Sequence, residues 1–173
     1  MDKFNLQKLQ GGVLVKEAMS EVRNCNKFSE RFGLSLNDND IKELVDGRIK
    51  ALRESGRVEF DGGILPKLIY AFCDSPYINS DNYVSTLSEL QEAFYYFKNE
   101  SDDLYTDDEL IELMETVFNG RAEGSAEYLI GTSLTKLCRY ARMDTDAYDD
   151  GYDEDGIVRM DINPYEEEEG DLY

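Results

Sequence analysis

Apolar side chains recur every third or fourth residue through most of this chain, the spacing that gathers them on one face of an α-helix. Val15, Ala18, Met19, Val22, Cys25 and Phe28 follow it and predict a helix from about Val13 to Phe32, stopped by Gly33. Upstream, Gly11-Gly12 is expected to interrupt any earlier helix. Asn37-Asp38-Asn39-Asp40 supplies cap candidates and acidic first-turn residues for a second helix over 38–55. Its stripe is Ile41, Leu44, Val45, Ile49 and Leu52, and Gly56 ends it.

Val58-Glu59-Phe60 reads as a short extended piece and Asp61-Gly62-Gly63 as a turn. Pro66 suits the first turn of a short helix holding Leu68, Ile69, Ala71 and Phe72. That helix is apolar on all sides, which predicts a central place for it, and Ser75-Pro76 closes it. A fourth helix over 81–98 carries Tyr83, Val84, Leu87, Leu90, Phe94 and Phe97 on one arc. The capping box Thr106-Asp107-Asp108-Glu109 opens a fifth, with Leu110, Leu113, Met114 and Val117 on its inner face. A sixth follows Gly124-Ser125 to about Met143, burying Leu129, Ile130, Leu134, Leu137 and Tyr140, with Arg139 and Arg142 opposite. No segment alternates with period 2. The fold class expected is all-α: a compact orthogonal or bundle-like domain of about five to seven helices over 1–143, joined by short loops.

Composition adds a second part. Residues 144–173 hold thirteen carboxylates and four tyrosines against a single cation, Arg159, which places −12 of the chain's −20 on this end. Such a segment cannot bury enough apolar surface to order itself and is expected to be a disordered acidic tail. A charge of −20 opposes nucleic acid and anionic membranes, because both are held by Lys and Arg on phosphate. Cys25, Cys73 and Cys138 are widely spaced without a C-x-x-C. Together with the absence of a secretory pattern or a bilayer-length apolar run, this leads to a cytoplasmic setting with free thiols.

Candidate chemistry is sparse. The chain has no histidine, which removes His-based acid–base and nucleophile chemistry and every His-containing metal site. The i,i+3 pairs Glu89/Glu92 and Glu112/Glu115 lie on polar faces and read as solvated. Gly131-Thr132-Ser133 falls in mid-helix, with Ser133 on the buried stripe, and reads as small-residue packing. An EF-type loop from Asp146 fails at Tyr148 and at Ile157, where a bidentate Glu is required. No catalytic, cofactor-binding or metal-ligating residue is assigned.

Arg48 breaks the pattern, since it falls inside the apolar arc of the second helix. A buried guanidinium needs a partner, and a loop acid such as Asp61 or Asp74 is the expected one. The alternative is an anion or partner-carboxylate site lined by Arg48. Lys50, Arg53 and Arg57 extend a basic surface on the same helix on which the tail could dock. Lys67 and the acids Asp61 and Asp74 complete the candidate contact residues. In the tail, Tyr148, Tyr152, Ile157, Met160, Tyr165 and Tyr173 stand among carboxylates, a composition suited to capture by a basic partner.

Three strings, Gly56 to Tyr77, Gln91 to Ser101 and Asp107 to Ile111, resemble an uncharacterised, domain-of-unknown-function family of small bacterial proteins. The resemblance spans roughly Asn24 to Leu137 and leaves the acidic tail outside. It implies a bacterial cytoplasmic protein and brings no activity, cofactor or catalytic residue. Within it, the loop Asp61–Lys67 and the turn Asp74–Tyr77 are the first places to mutate.

The function expected is that of a non-enzymatic protein-interaction or regulatory domain whose partner is another protein, a basic one where the tail is the contact. One alternative is an enzyme using carboxylates or Lys67 in the Asp61–Tyr77 region. Another is an acidic nucleic-acid mimic.

Overall fold

The computed structural model describes residues 3–59, 62–131 and 133–149; for residues 3–11, 13, 133 and 144–149 only the backbone is described. Seven α-helices account for most of them: α1 (Lys3–Ser29), α2 (Asp38–Ser55), α3 (Ile64–Phe72), α4 (Tyr83–Glu100), α5 (Asp107–Asn119), α6 (Ala126–Ile130) and α7 (Ser133–Asp149). No strand occurs among the described residues, and the domain is all-α. The acidic segment beyond Asp149 lies outside them.

The caps fall where the side chains dictate. Asn37 Oδ1 accepts from the backbone N–H groups of Asn39 and Asp40, and Asp40 returns a bond to the Asn37 N–H, closing a capping box on α2. Thr106 and Glu109 do the same for α5. The Glu109 carboxyl, accepting from the Thr106 backbone, is held below the usual carboxylate range. Gly33 and Gly56 end their helices in the left-handed conformation.

Two expectations about helix extent are corrected. α1 does not begin after Gly11-Gly12 but runs through both from Lys3. Glycine weakens a helix interior by about 1 kcal/mol without forbidding it, whereas proline would remove a hydrogen bond and clash. The α1 helix then tightens into a 3-10 turn, Glu30–Phe32. At the other end, the single helix expected over 125–143 is two helices that part at Gly131. Ser125 caps α6 on the Tyr128 N–H, and the Thr135 hydroxyl closes its carbonyl end on Ile130. The break resets the register, so Ile130 and Tyr140, expected inside, are exposed, while Cys138 is buried.

The centre of the domain is α4, not α3. α4 packs against α2, α3, α5, α6 and α7, while α1 lies on α2 and α3. It buries Thr86, Gln91, Tyr95 and Lys98 as well as the expected stripe of Tyr83, Leu87, Leu90, Phe94 and Phe97. The inward side of α3 is fully buried through Leu65, Leu68, Ile69 and Phe72, but Lys67, Tyr70 and Asp74 look outward. Phe72 meets Phe118 of α5 edge-on at 5.4 Å, and the Arg139–Glu100 pair at 2.7 Å ties α7 to the end of α4.

Candidate functional site

Arg48 points into the seam between α2 and α4 and is 4% exposed. Its Nε donates to Glu59 Oε2 at 3.0 Å, and the Tyr95 hydroxyl donates to the same oxygen at 2.7 Å. The ion pair expected for Arg48 is present, but its acid is Glu59 rather than Asp74, which is exposed in the turn after α3. Asp61 lies outside the described residues. Burial, then the Glu59 carboxylate, pushes the Tyr95 phenol far above its ordinary range, so it stays a donor.

One turn earlier on α4, Gln91 donates from Nε2 to the Leu44 carbonyl at 3.3 Å, and its Oε1 is buried without a hydrogen bond among the described residues. Gly63 completes the enclosure with φ 57° and ψ −131°; a Cβ there would collide with Glu59 and the Arg48 guanidinium. The next link is made by Gly62, whose N–H donates to Glu21 of α1 at 2.7 Å. The segment between α2 and α3 is therefore tied down at two points. The Glu59 oxygen is occupied twice over, an arrangement that holds a loop rather than receiving a substrate.

The other cations singled out from the sequence do not converge. Arg57 grips Asp103 with both terminal nitrogens, at 2.7 and 2.8 Å, and Asn99 with Nε at 2.9 Å. Asp103 and Asn99 belong to the end of α4 and its following loop, so Arg57 fastens α2 to α4. Lys67 of α3 pairs with Asp108 at the start of α5 at 2.7 Å. Lys50 and Arg53 line a shallow open depression on the outer side of α2 with Asp46, Ile49 and Glu54, and Lys50 lies 3.9 Å from Glu54. The turn Asp74–Tyr77 is pinned by the Ser75 hydroxyl, which donates to Asn119 Oδ1 at 2.6 Å. Among the described residues no group of three or more Cys, Asp or Glu side chains could hold a metal ion.

A surface the sequence did not single out lies where α1 ends against α3. Phe28, half-buried, stands 5.0 Å from the Tyr70 ring and 5.7 Å from Phe32, centroid to centroid. Tyr70 and Phe32 are 50% and 46% exposed, so two large, solvent-facing rings each pack against Phe28. The Arg31 guanidinium sits 5.3 Å from the Phe28 centroid, within cation–π range. Arg23, Lys27 and Arg31 follow at four-residue spacing, and all three are exposed. Arg23 is engaged by Asp38 at 2.8 Å.

Reading α3 as apolar on every side hid Tyr70. The spacing of Lys67, Tyr70 and Asp74 was the available signal, since it marks an outer face. Phe32 was hidden by its place in the last turn before Gly33. Glu59 and Tyr95 gave no warning, because a lone acid in a loop and one tyrosine among the five aromatics of α4 carry no pattern.

The fold and these contacts define a compact helical domain with a buried Arg48–Glu59–Tyr95 cluster and an aromatic surface patch. The profile of the "Family of unknown function (DUF6323)" matches residues 21–147, well over half of the chain, and the protein belongs to that family. No curated protein and no solved structure matches the chain.

Proposed function

We propose that this is a protein-interaction domain whose contact surface is the Phe28–Phe32–Tyr70 patch. The observation that carries this reading is the exposure of two rings that share the contact with Phe28, with the Arg31 guanidinium over that same ring, on a chain of net charge −20. Aromatic side chains and arginine are the residues that dominate binding energy at protein interfaces. The patch favours an acidic segment of the partner with apolar or aromatic side chains. The basic partner inferred from the tail's charge would use the acidic segment instead.

Support for interaction over catalysis comes from the candidate residues of the Asp61–Tyr77 region. Lys67 is paired at the surface, Asp74 is exposed, and Arg48 is enclosed by its own loop. No observation favours the nucleic-acid mimic. Among the described residues no helix is long and apolar enough to cross a membrane.

The test is selection from a random-peptide display library on immobilised full-length protein. Acidic peptides carrying aromatic or aliphatic residues are expected to enrich on the wild type and not on the Phe32→Ser/Tyr70→Ser variant. Equal enrichment on both would remove the reading.

A further inference from the structure

We infer that the chain's own acidic segment, residues 150–173, occupies the Phe32–Tyr70 surface and is displaced when a partner binds; this rests on the interaction reading above. α7 carries the chain to Asp149, and twenty-four residues follow. Fully extended they reach roughly 80 Å, about twice the width of a domain this size, so every face is within range. Charge and side-chain type then choose among the faces.

The segment 150–173 carries ten carboxylates and one cation. Ile157, Val158, Met160, Ile162 and Tyr165 precede the run Glu166–Glu169, an apolar stretch followed by an acidic one. The patch presents the same two chemistries: the rings of Phe32 and Tyr70 packed on Phe28, and the cations Arg31, over the Phe28 ring, and Lys27, which precedes Phe28 in the chain. Glu30 is the acid of that turn and is exposed beside them.

Of the cation surface first considered for the tail, Lys50, Arg53 and Arg57, Arg57 is committed to Asp103 and Asn99, and the depression lined by Lys50 and Arg53 also carries Asp46 and Glu54 and no ring. By contrast, Lys27 and Arg31 make no salt bridge among the described residues. A tethered segment competes at an effective concentration of about a millimolar, so even weak contacts suffice to cover the rings until a stronger ligand arrives.

Zero-length carbodiimide coupling of the dilute full-length protein tests the docking directly. Peptide mapping of the monomer is expected to place Glu166–Glu169 on Lys27, with a yield about tenfold lower in Phe32→Ser/Tyr70→Ser. Links spread evenly over Lys16, Lys42, Lys50 and Lys136, or a yield unchanged in the variant, would overturn the docking. Links to Lys27 confined to a dimer would overturn it in favour of a second copy.

A synthetic peptide of residues 157–171 separates this inference from the reading beneath it. It should bind a full-length chain with Glu166–Glu169 changed to Gln about tenfold more tightly than the wild type, whose site is occupied in cis. Equal affinity for both removes the cis occupancy and leaves the surface a peptide site. Binding to neither removes the docking, while the interaction reading falls only if the peptide selection above also fails.

Discussion

Arg48 and Glu59 form an ion pair at 3.0 Å in which the arginine is almost wholly enclosed, and Tyr95 donates to the same carboxylate oxygen. Removing one member of a buried pair strands the other, which costs more than replacing both. Glu59→Gln is expected to lower unfolding free energy by about 3 kcal/mol, toward the low end for buried pairs because Glu59 retains some exposure. Arg48→Met/Glu59→Leu together should recover part of that loss. Urea denaturation of Arg48→Met, Glu59→Leu and the double variant measures the coupling. Simple additivity would show that the pair does not hold the loop.

Two glycines should respond to alanine in opposite directions. Gly63 has a positive φ, and its missing Cβ is the space filled by Glu59 and the Arg48 guanidinium. Gly63→Ala is therefore expected to cost about 3 kcal/mol, combining backbone strain with displacement of the pair. Gly12 lies within α1 with nothing within 4 Å of an added Cβ. Gly12→Ala should stabilise by about 0.5–1 kcal/mol through helix propensity and a less flexible unfolded chain. Thermal melts of the two variants check both signs; a neutral Gly12→Ala would place that residue outside a helix.

The fold was legible where periodicity and caps agreed. α2 and α5 combine an apolar stripe with a complete capping box, and their ends were readable to within a residue or two. The misreadings share a cause: local pattern cannot say what surrounds a helix. α4 buries Gln91, Tyr95 and Lys98 because other helices enclose it on several sides, and most of their polar atoms are reconciled to burial by partners outside the helix. Lys98, for example, reaches the Tyr105 carbonyl at 2.8 Å and Asp107 at 3.1 Å. Arg48 was legible as buried because it interrupts a stripe. Its partner was not, because which loop acid turns inward depends on the Gly62-Gly63 geometry. The aromatic patch was legible only in part: Phe28 lay in the helix pattern, but its contact with Tyr70 joins residues 42 apart in sequence.

The three thiols report on packing. Cys25, Cys73 and Cys138 are free and buried; burial pushes Cys73 and Cys138 up to about 11 and raises Cys25 as well. The thiolate is the reactive form, so at pH 8 native protein should react with a thiol reagent at least about a hundredfold more slowly than unfolded chain. All three should become reactive together across the urea transition. Cys138 lies on α7, so its early reaction alone would mean that α7 leaves α4 before the rest of the domain unfolds.

Asp103 links charge to the geometry between α4 and α5. It adopts a φ of 60° after Asp102 at 51°, two left-handed residues in succession, and its carboxylate receives both terminal nitrogens of Arg57. The Arg57 hydrogen bonds hold its carboxyl below the usual 3.8, with the nearby Lys98 adding a smaller contribution. A carboxyl depressed in the folded state contributes stability above its unfolded value and loses it as pH falls through the folded one. Asp103→Asn tests this contribution, because asparagine accepts the left-handed conformation as readily as aspartate while it removes the charge and one of the two oxygens that accept from Arg57. The variant is expected to be less stable at pH 7 by roughly 0.5–1 kcal/mol, a figure reduced for the solvent exposure of the aspartate. The gap should close below about pH 3.8 and shrink in 1 M salt, where the screening length falls to about 3 Å. Paired urea titrations at pH 7, at pH 3 and in high salt measure it. A gap that persists undiminished at pH 3 would mean that the carboxylate's shape, not its charge, holds Arg57.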